Sequence, residues 1–197
     1  MRAFGRLWAE RRRGRRFPAR TDFLAEEWAP WWTSMLLYRI EPDTVRARAY
    51  RLTYEGDAIE YIDGGNQIGR RLDEIAPPHL LRRALANYDR CVEEQSPVYS
   101  VRVGTWHRSR EVAFERLLLP LGERTDAVDH VLGLLFDHGI ESSLRHIADP
   151  TPPIAIANDR VSACRIDPDS FEGCDVAAPG SGIGLPMPVN SRARGAQ

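Results

Sequence analysis

The chain has 197 residues, enough for one domain with extensions and a sizeable core, and its 43% apolar and 28% charged residues are ordinary for a globular protein. The net charge of -1 conceals an absence of lysine: all 27 basic residues are arginine, as codon bias in a GC-rich genome would produce. No apolar run approaches the ~20 residues of a membrane helix, no leader-like apolar segment opens the chain, and Cys91, Cys164 and Cys174 make no C-x-x-C pair. These features exclude a helical membrane span and a disulfide or zinc framework, and the expected setting is a reducing cytoplasm.

Residues 1–20 hold eight arginines against the single acid Glu10. Phe4, Leu7 and Trp8 fall at helical spacing, and Gly14 and Pro18 end that pattern. A second helix is predicted over 23–32, with Asp22 placed to cap it and Trp28, Trp31 and Trp32 packed close together. Strand signals follow at 35–40 and 45–54, the second alternating and slipping near Tyr50, where a bulge is expected. Short helical pieces, broken at Gly64-Gly65 and Gly69, occupy 56–69.

The clearest helix is 77–95, where Leu81, Leu85, Tyr88 and Val92 form one stripe before Ser96-Pro97 stops it. Three further strands are predicted at 98–105, 111–121 and 131–136, joined by turns at 107–110 and 122–129. From Pro150 onward the composition changes, and seven of the 14 prolines lie there. The division is therefore a helical, arginine-rich extension over 1–33, a domain over 34–140 and a largely disordered tail over 141–197. The fold class is α+β: a five-stranded antiparallel sheet with helices on one face and an N-terminal helical extension.

The strand–strand–helices–strand–strand–strand order is that of a PAS domain. Leu7-Trp8-x-x-Arg11-Arg12-x-Gly14-Arg15-Arg16-Phe17-Pro18-x-Arg20-x-Asp22-Phe23 resembles the start of a PAS-like family common in alphaproteobacteria. Gly69-Arg70-Arg71-Leu72-Asp73-Glu74, Pro97-Val98-Tyr99-Ser100 and Phe114-Glu115-Arg116-Leu117-Leu118-Leu119-Pro120-Leu121 resemble its later motifs, in order, over residues 7–138. The sequence departs from the family at Thr53-Tyr54-Glu55 and at 64–67, beside the expected pocket. The resemblance implies a bacterial sensor for signal transduction that binds a small molecule or a signalling protein between sheet and helices. It implies a homodimer formed through the N-terminal helix, for which Phe4, Leu7 and Trp8 are the candidate interface.

Within the domain, Glu115 and Arg116 must point to opposite sheet faces. Arg116 shares its face with Phe114 and Leu118, and is expected to pair with Asp57 or Glu60, or with an anionic ligand. Tyr50, Tyr61, Tyr88 and Trp106 are candidates to line the same cavity, each also readable as core. No metal-ligand spacing appears among His79, His107, His130, His138 and His146. His79, near the start of the long helix, is read as a solvated histidine and not a haem ligand. Cys91 lacks the motif of a flavin photosensor and is read as a small core residue. No nucleophile motif, phosphate-binding loop or dinucleotide fingerprint occurs, so no catalytic residue and no cofactor is assigned. The alternatives are a small α+β enzyme with a cleft around Arg116 and His107, or a regulator binding nucleic acid through residues 1–20. The sparse aromatics among those arginines argue against the second.

Overall fold

In the computed structural model, which describes residues 1–106, 110–123, 127–138 and 160–165, one antiparallel sheet organises the chain. Its strands are β1 Met35–Pro42, β2 Arg48–Glu55, β3 Val98–Trp106, β4 Arg110–Leu121, β5 His130–His138 and β6 Arg160–Arg165. They lie side by side in the order β2-β1-β5-β4-β3-β6. The five expected strands are present and the class is α+β. The sixth, β6, pairs with β3 from Val98↔Arg165 to Val103↔Arg160, inside the segment whose composition predicted disorder. The rest of 141–197 lies outside the described residues.

Both faces of the sheet are covered. Helices α3 Asp57–Asp63, α4 Leu72–Ile75 and α5 Pro78–Glu93 follow β2 in the chain. With them, Leu36, Tyr38, Tyr50, Leu52, Leu118 and Val131 of the sheet bury one core, which Ile59, Leu72, Tyr88 and Cys91 close from the helices. On α5 the most buried positions are Leu80, Tyr88 and Cys91, so the helix is rotated by about one residue from the predicted stripe.

The alternate residues of the same strands, Met35, Leu37, Leu117, Leu119, Leu121, Leu132 and Leu134, bury a second core. Helix α1 Arg2–Arg12 covers it with Phe4 and Trp8, both 0% exposed, and Leu7 packs at its margin. Two of the three residues expected at a dimer interface are thus inside the chain's own core. Phe4 and Trp8 fill the core of their own chain, and the extension is one of its layers.

After a 3-10 turn at Arg20–Asp22, the predicted second helix is broken into a single α turn α2 at Ala25–Trp28 and a 3-10 segment at Ala29–Ser34 that carries Pro30. Asp22 accepts from the Ala19 N–H at 2.7 Å, and Glu27 caps the new turn through the Leu24 N–H at 2.8 Å. Trp28 and Trp31 pack edge-on against Phe4, while Trp32 stays partly exposed. The predicted bulge is displaced. The β1–β2 register slips between Leu37 and Tyr38, opposite Thr53, whose hydroxyl donates to the Leu37 carbonyl. Beyond that point Tyr54 turns to the N-terminal core and Glu55 to the helix side.

One hydrogen bond fixes how the extension docks. The Trp8 indole N–H donates to the Pro120 carbonyl at 3.0 Å. The neighbouring Leu121 carbonyl accepts from Asp129 on the β5 side, so Pro120 faces the β3 side, beyond the last β3 pair, Val98↔Leu118. A proline is tolerated there because no ladder donor is required. The chain at Ala19 then forms a parallel bridge to Gly122, with Arg20 N–H donating to Gly122 and Gly122 N–H donating to Pro18.

Two outcomes test this packing. Trp8→Phe strands the buried Pro120 carbonyl and is expected to cost about 1–3 kcal/mol in urea unfolding. Gly56→Ala places a methyl 2.2 Å from the Trp32 carbonyl and 2.4 Å from that of Thr33, both backbone atoms, and is expected to cost about 3 kcal/mol. A Gly56→Ala protein with the wild-type unfolding midpoint would show that this corner is not closely packed.

Candidate functional site

The motif residues resolve first into fold staples. Arg11 makes a two-pronged ion pair with Glu27, Arg15 pairs with Asp22, and the Arg12 guanidinium lies 5.4 Å from the Trp8 ring centre. Arg11 and Arg15 thus hold the extension to its own acids, while Arg2, Arg6, Arg13, Arg16 and Arg20 of the same extension stay exposed. Gly69, at φ 90°, and Arg70 exchange backbone hydrogen bonds with Leu52 along the outer edge of β2. Arg71 pairs with Asp43 and Asp73, and Glu74 accepts from the Arg71 N–H.

A different set of residues forms the candidate site, on the helix-covered face. Tyr88 of α5 stands edge-on to Tyr38 of β1 and tilted against Tyr50 of β2, each with centroids 5.1 Å apart. Tyr50 and Tyr88, both predicted, are therefore brought together. Tyr38, which the sequence reading left in an apolar strand, joins them. The Tyr50 hydroxyl donates to Asp89 at 2.6 Å, a contact at the margin of the core. Tyr61 lies on α3 and Trp106 ends β3, and the side chains of both are outside the described residues.

Arg116 occupies the face predicted for it, with Phe114 and Leu118, and is half-buried. Glu115 points the other way, where burial and then Glu115 raise the pKa of the Tyr99 hydroxyl, and where Glu115 opposes the lowering of the Met1 amine by burial. The expected ion pair of Arg116 with Asp57 or Glu60 is not formed, and among the described residues Arg116 has no hydrogen-bond or ion-pair partner. Its charge instead acts on Tyr38 and Tyr88.

Burial pushes the Tyr88 hydroxyl up to about 12, against the opposing pull of Arg116 and of a hydrogen bond with Tyr38. Burial likewise raises Tyr38 well above the ordinary phenol, with Tyr88, Asp63 and Glu55 adding to it and Arg116 opposing. Both hydroxyls keep their protons near neutral pH. They are hydrogen-bonding groups and not bases.

Glu55 is the second residue that the sequence reading missed. It is 5% exposed at the end of β2, where one oxygen accepts from the Gln67 N–H at 2.7 Å and the other, Oε1, is buried on the side of Asp63. Burial raises its pKa, the Gln67 N–H opposes, and the charges of Asp63 and Glu60, with a hydrogen bond between Glu55 and Asp63, raise it further. Only the bulge at Thr53 brings Glu55 to this face, and no residue in the sequence announces that bulge.

The remaining candidates separate from this site. His79 is exposed at the start of α5. His130 is buried with its Nδ1 2.5 Å from Asp129 at the start of β5. Cys91 is fully buried, and burial pushes its thiol up, which removes the thiolate that reactivity needs. His107, His138 and His146 have side chains outside the described ones. Among the described residues no group of three or more acids, histidines or cysteines is arranged to hold a metal, and no helix is long and apolar enough to cross a membrane.

No protein-family model matches the chain, and no curated protein matches it significantly. The geometry of the site is what bears on function.

Glu55 supplies a signed prediction. Its folded-state pKa lies above its unfolded value, so the folded state gains relative stability as pH falls from above the folded pKa to the unfolded one. Glu55→Gln mimics the protonated form while keeping an acceptor for Gln67. It is expected to raise the melting temperature near neutral pH and to leave it unchanged below about pH 4, where wild-type Glu55 is protonated in both states. Equal shifts at both pH values would assign the effect to packing.

Proposed function

We propose that this chain is a sensory module of the PAS type, which binds a small ligand or a protein partner and performs no catalysis of its own. The observation that carries this reading is Arg116: a half-buried guanidinium on the helix-covered face, without a partner among the described residues, beside two tyrosine hydroxyls that keep their protons. A cation taken from water into such a place is disfavoured unless something pairs with it. A bound molecule is the economical counterpart. The order of two strands, helices and three strands, and the four motifs, support the same family reading.

The enzyme alternative needs a nucleophile, a base and a group that orients them in one place. The groups on which the charge of Arg116 acts, Tyr38 and Tyr88, are protonated phenols. They suit recognition by hydrogen bonding better than proton abstraction.

The fold offers this module a route for its output. Helix α3 begins after Gly56, ends before Gly64-Gly65, and touches the 3-10 segment at Ala29–Ser34. That segment carries Trp31, whose ring lies 4.8 Å from Phe4 in the N-terminal core. Occupancy beneath the helices would bias α3, and through that segment the docking of α1, as a shift between populations.

The test is native mass spectrometry of the freshly purified full chain, followed by denaturing extraction. A stoichiometric small molecule that is released on unfolding, and absent from Arg116→Met protein, is the expected result. A chain that carries no molecule and captures none from a metabolite extract would overturn the small-ligand form of the reading.

A further inference from the structure

The edge of the sheet at β3 is closed by a strand that arrives from far along the chain. His138, which ends β5, pairs with Ala113 of β4, Ala113 with Val103 of β3, and Val103 with Arg160, which opens β6. His138 and Arg160 therefore stand in one row of the sheet, three strand spacings or about 14 Å apart. About five extended residues would bridge that distance, whereas 21 lie between the two. β6 thus skips β4 and β3 to reach the edge, on a connection much longer than the path requires.

Main-chain pairing with β3 is what holds β6. Arg160–Arg165 meets residues 98–103 and leaves 104–106 of β3 unpaired on that side, and among the described residues β3 is the one element that β6 contacts extensively. A six-residue strand with a single neighbour is marginal by itself. Its tether has a root-mean-square span of about 25 Å, commensurate with the gap, and so presents β6 to β3 at an effective concentration on the order of millimolar. Cut from that tether, the strand would leave the edge of a micromolar protein.

The edge beneath β6 suits a second copy of itself. Val98-Tyr99-Ser100-Val101-Arg102-Val103 is rich in β-branched and aromatic residues and carries one charge, the composition of an edge that pairs readily when it is uncovered. Two copies can pair antiparallel about a two-fold axis normal to the sheet, which requires paired residues to share a face. With Val101 on the axis, Tyr99 meets Val103 and Ser100 meets Arg102 of the second copy. The two Arg102 charges are then not placed directly opposite each other.

We infer that the β3 edge is a self-association surface for a second copy of this chain, and that Arg160–Arg165 is a detachable strand that keeps it closed. With β6 docked the chain is a monomer. With β6 released it is a dimer whose sheet runs through both copies.

The test removes β6 from the full chain by Ser162→Pro with Ala163→Pro. Successive N–H groups of a strand face opposite sides, so one of the two prolines deletes a donor to β3. Mass is read by light scattering at micromolar protein, and the docking of β6 by hydrogen exchange at residues 98–103. Wild type is expected to have the mass of one chain and slow exchange there. The variant is expected to have the mass of two, and a peptide of residues 158–167 at millimolar concentration is expected to return it to one. A second route avoids any folding defect: a protease site in place of residues 151–154 is cut in the folded chain, and gel filtration removes the tail. The same change from one chain to two is expected. A chain that loses β6, as faster exchange at 98–103 shows, and stays a monomer overturns the inference. So does unchanged exchange after both treatments, or a wild-type dimer that persists without β6, since the association would then lie elsewhere.

Discussion

Three adjoining strands of this sheet are apolar on both sides, and that constraint governs the rest of the architecture. In β4, Leu117, Leu119 and Leu121 face one way and Leu118 the other, all essentially unexposed. Leaving either face to water would expose several large side chains at about 1.5–3 kcal/mol each. Helices α3 to α5 close one side, and the extension must close the other. The Trp8 indole bond to Pro120 and the short parallel bridge at Ala19 fix its position at the point where β3 ends and β4 continues. The arginines of the extension then hold it in place through ion pairs with Glu27 and Asp22.

The sequence disclosed the strands because alternation and turn residues act locally. It disclosed the opposed faces of Glu115 and Arg116 for the same reason, since a strand leaves no other choice. The second layer was less visible. Phe4, Leu7 and Trp8 at helical spacing describe an apolar stripe, and such a stripe reads the same whether it meets a second copy or its own sheet. The deciding signal lay elsewhere, in the unbroken apolar runs Met35-Leu36-Leu37-Tyr38 and Val131-Leu132-Gly133-Leu134-Leu135-Phe136. A strand open to water on one face alternates, whereas one buried on both faces reads continuously.

The site was half legible. Tyr50, Tyr88 and Arg116 could be placed on one face by counting along strands and the long helix. Glu55 could not, because the extra residue at Thr53 reverses the count, and the bulge depends on pairing with a strand more than a dozen residues away. Tyr38 was hidden differently: inside an apolar run a tyrosine reads as core, and its hydroxyl matters only when a partner such as Tyr88 arrives from the opposite layer. The sixth strand escaped because composition speaks for a whole segment. Six residues recruited by the free edge of β3 are too few to change that average.

The contrast between the charges of the framework and those of the site bears most directly on function. Arg11, Arg15, Arg51 and Arg71 each meet a carboxylate of the same chain. Against that background, a half-buried Arg116 without a hydrogen-bond or ion-pair partner among the described residues, and a Glu55 buried beside a second acid, Asp63, are local departures on one face of the sheet. A small change would pair Arg116: a carboxylate in place of Leu135, directly opposite it on β5. Departures of this kind cost stability and persist where they are used. The raised pKa of Glu55 makes the same point from the acid side. Burial and the neighbouring acids disfavour its charged form, so this corner of the sheet carries an electrostatic cost that the framework ion pairs do not.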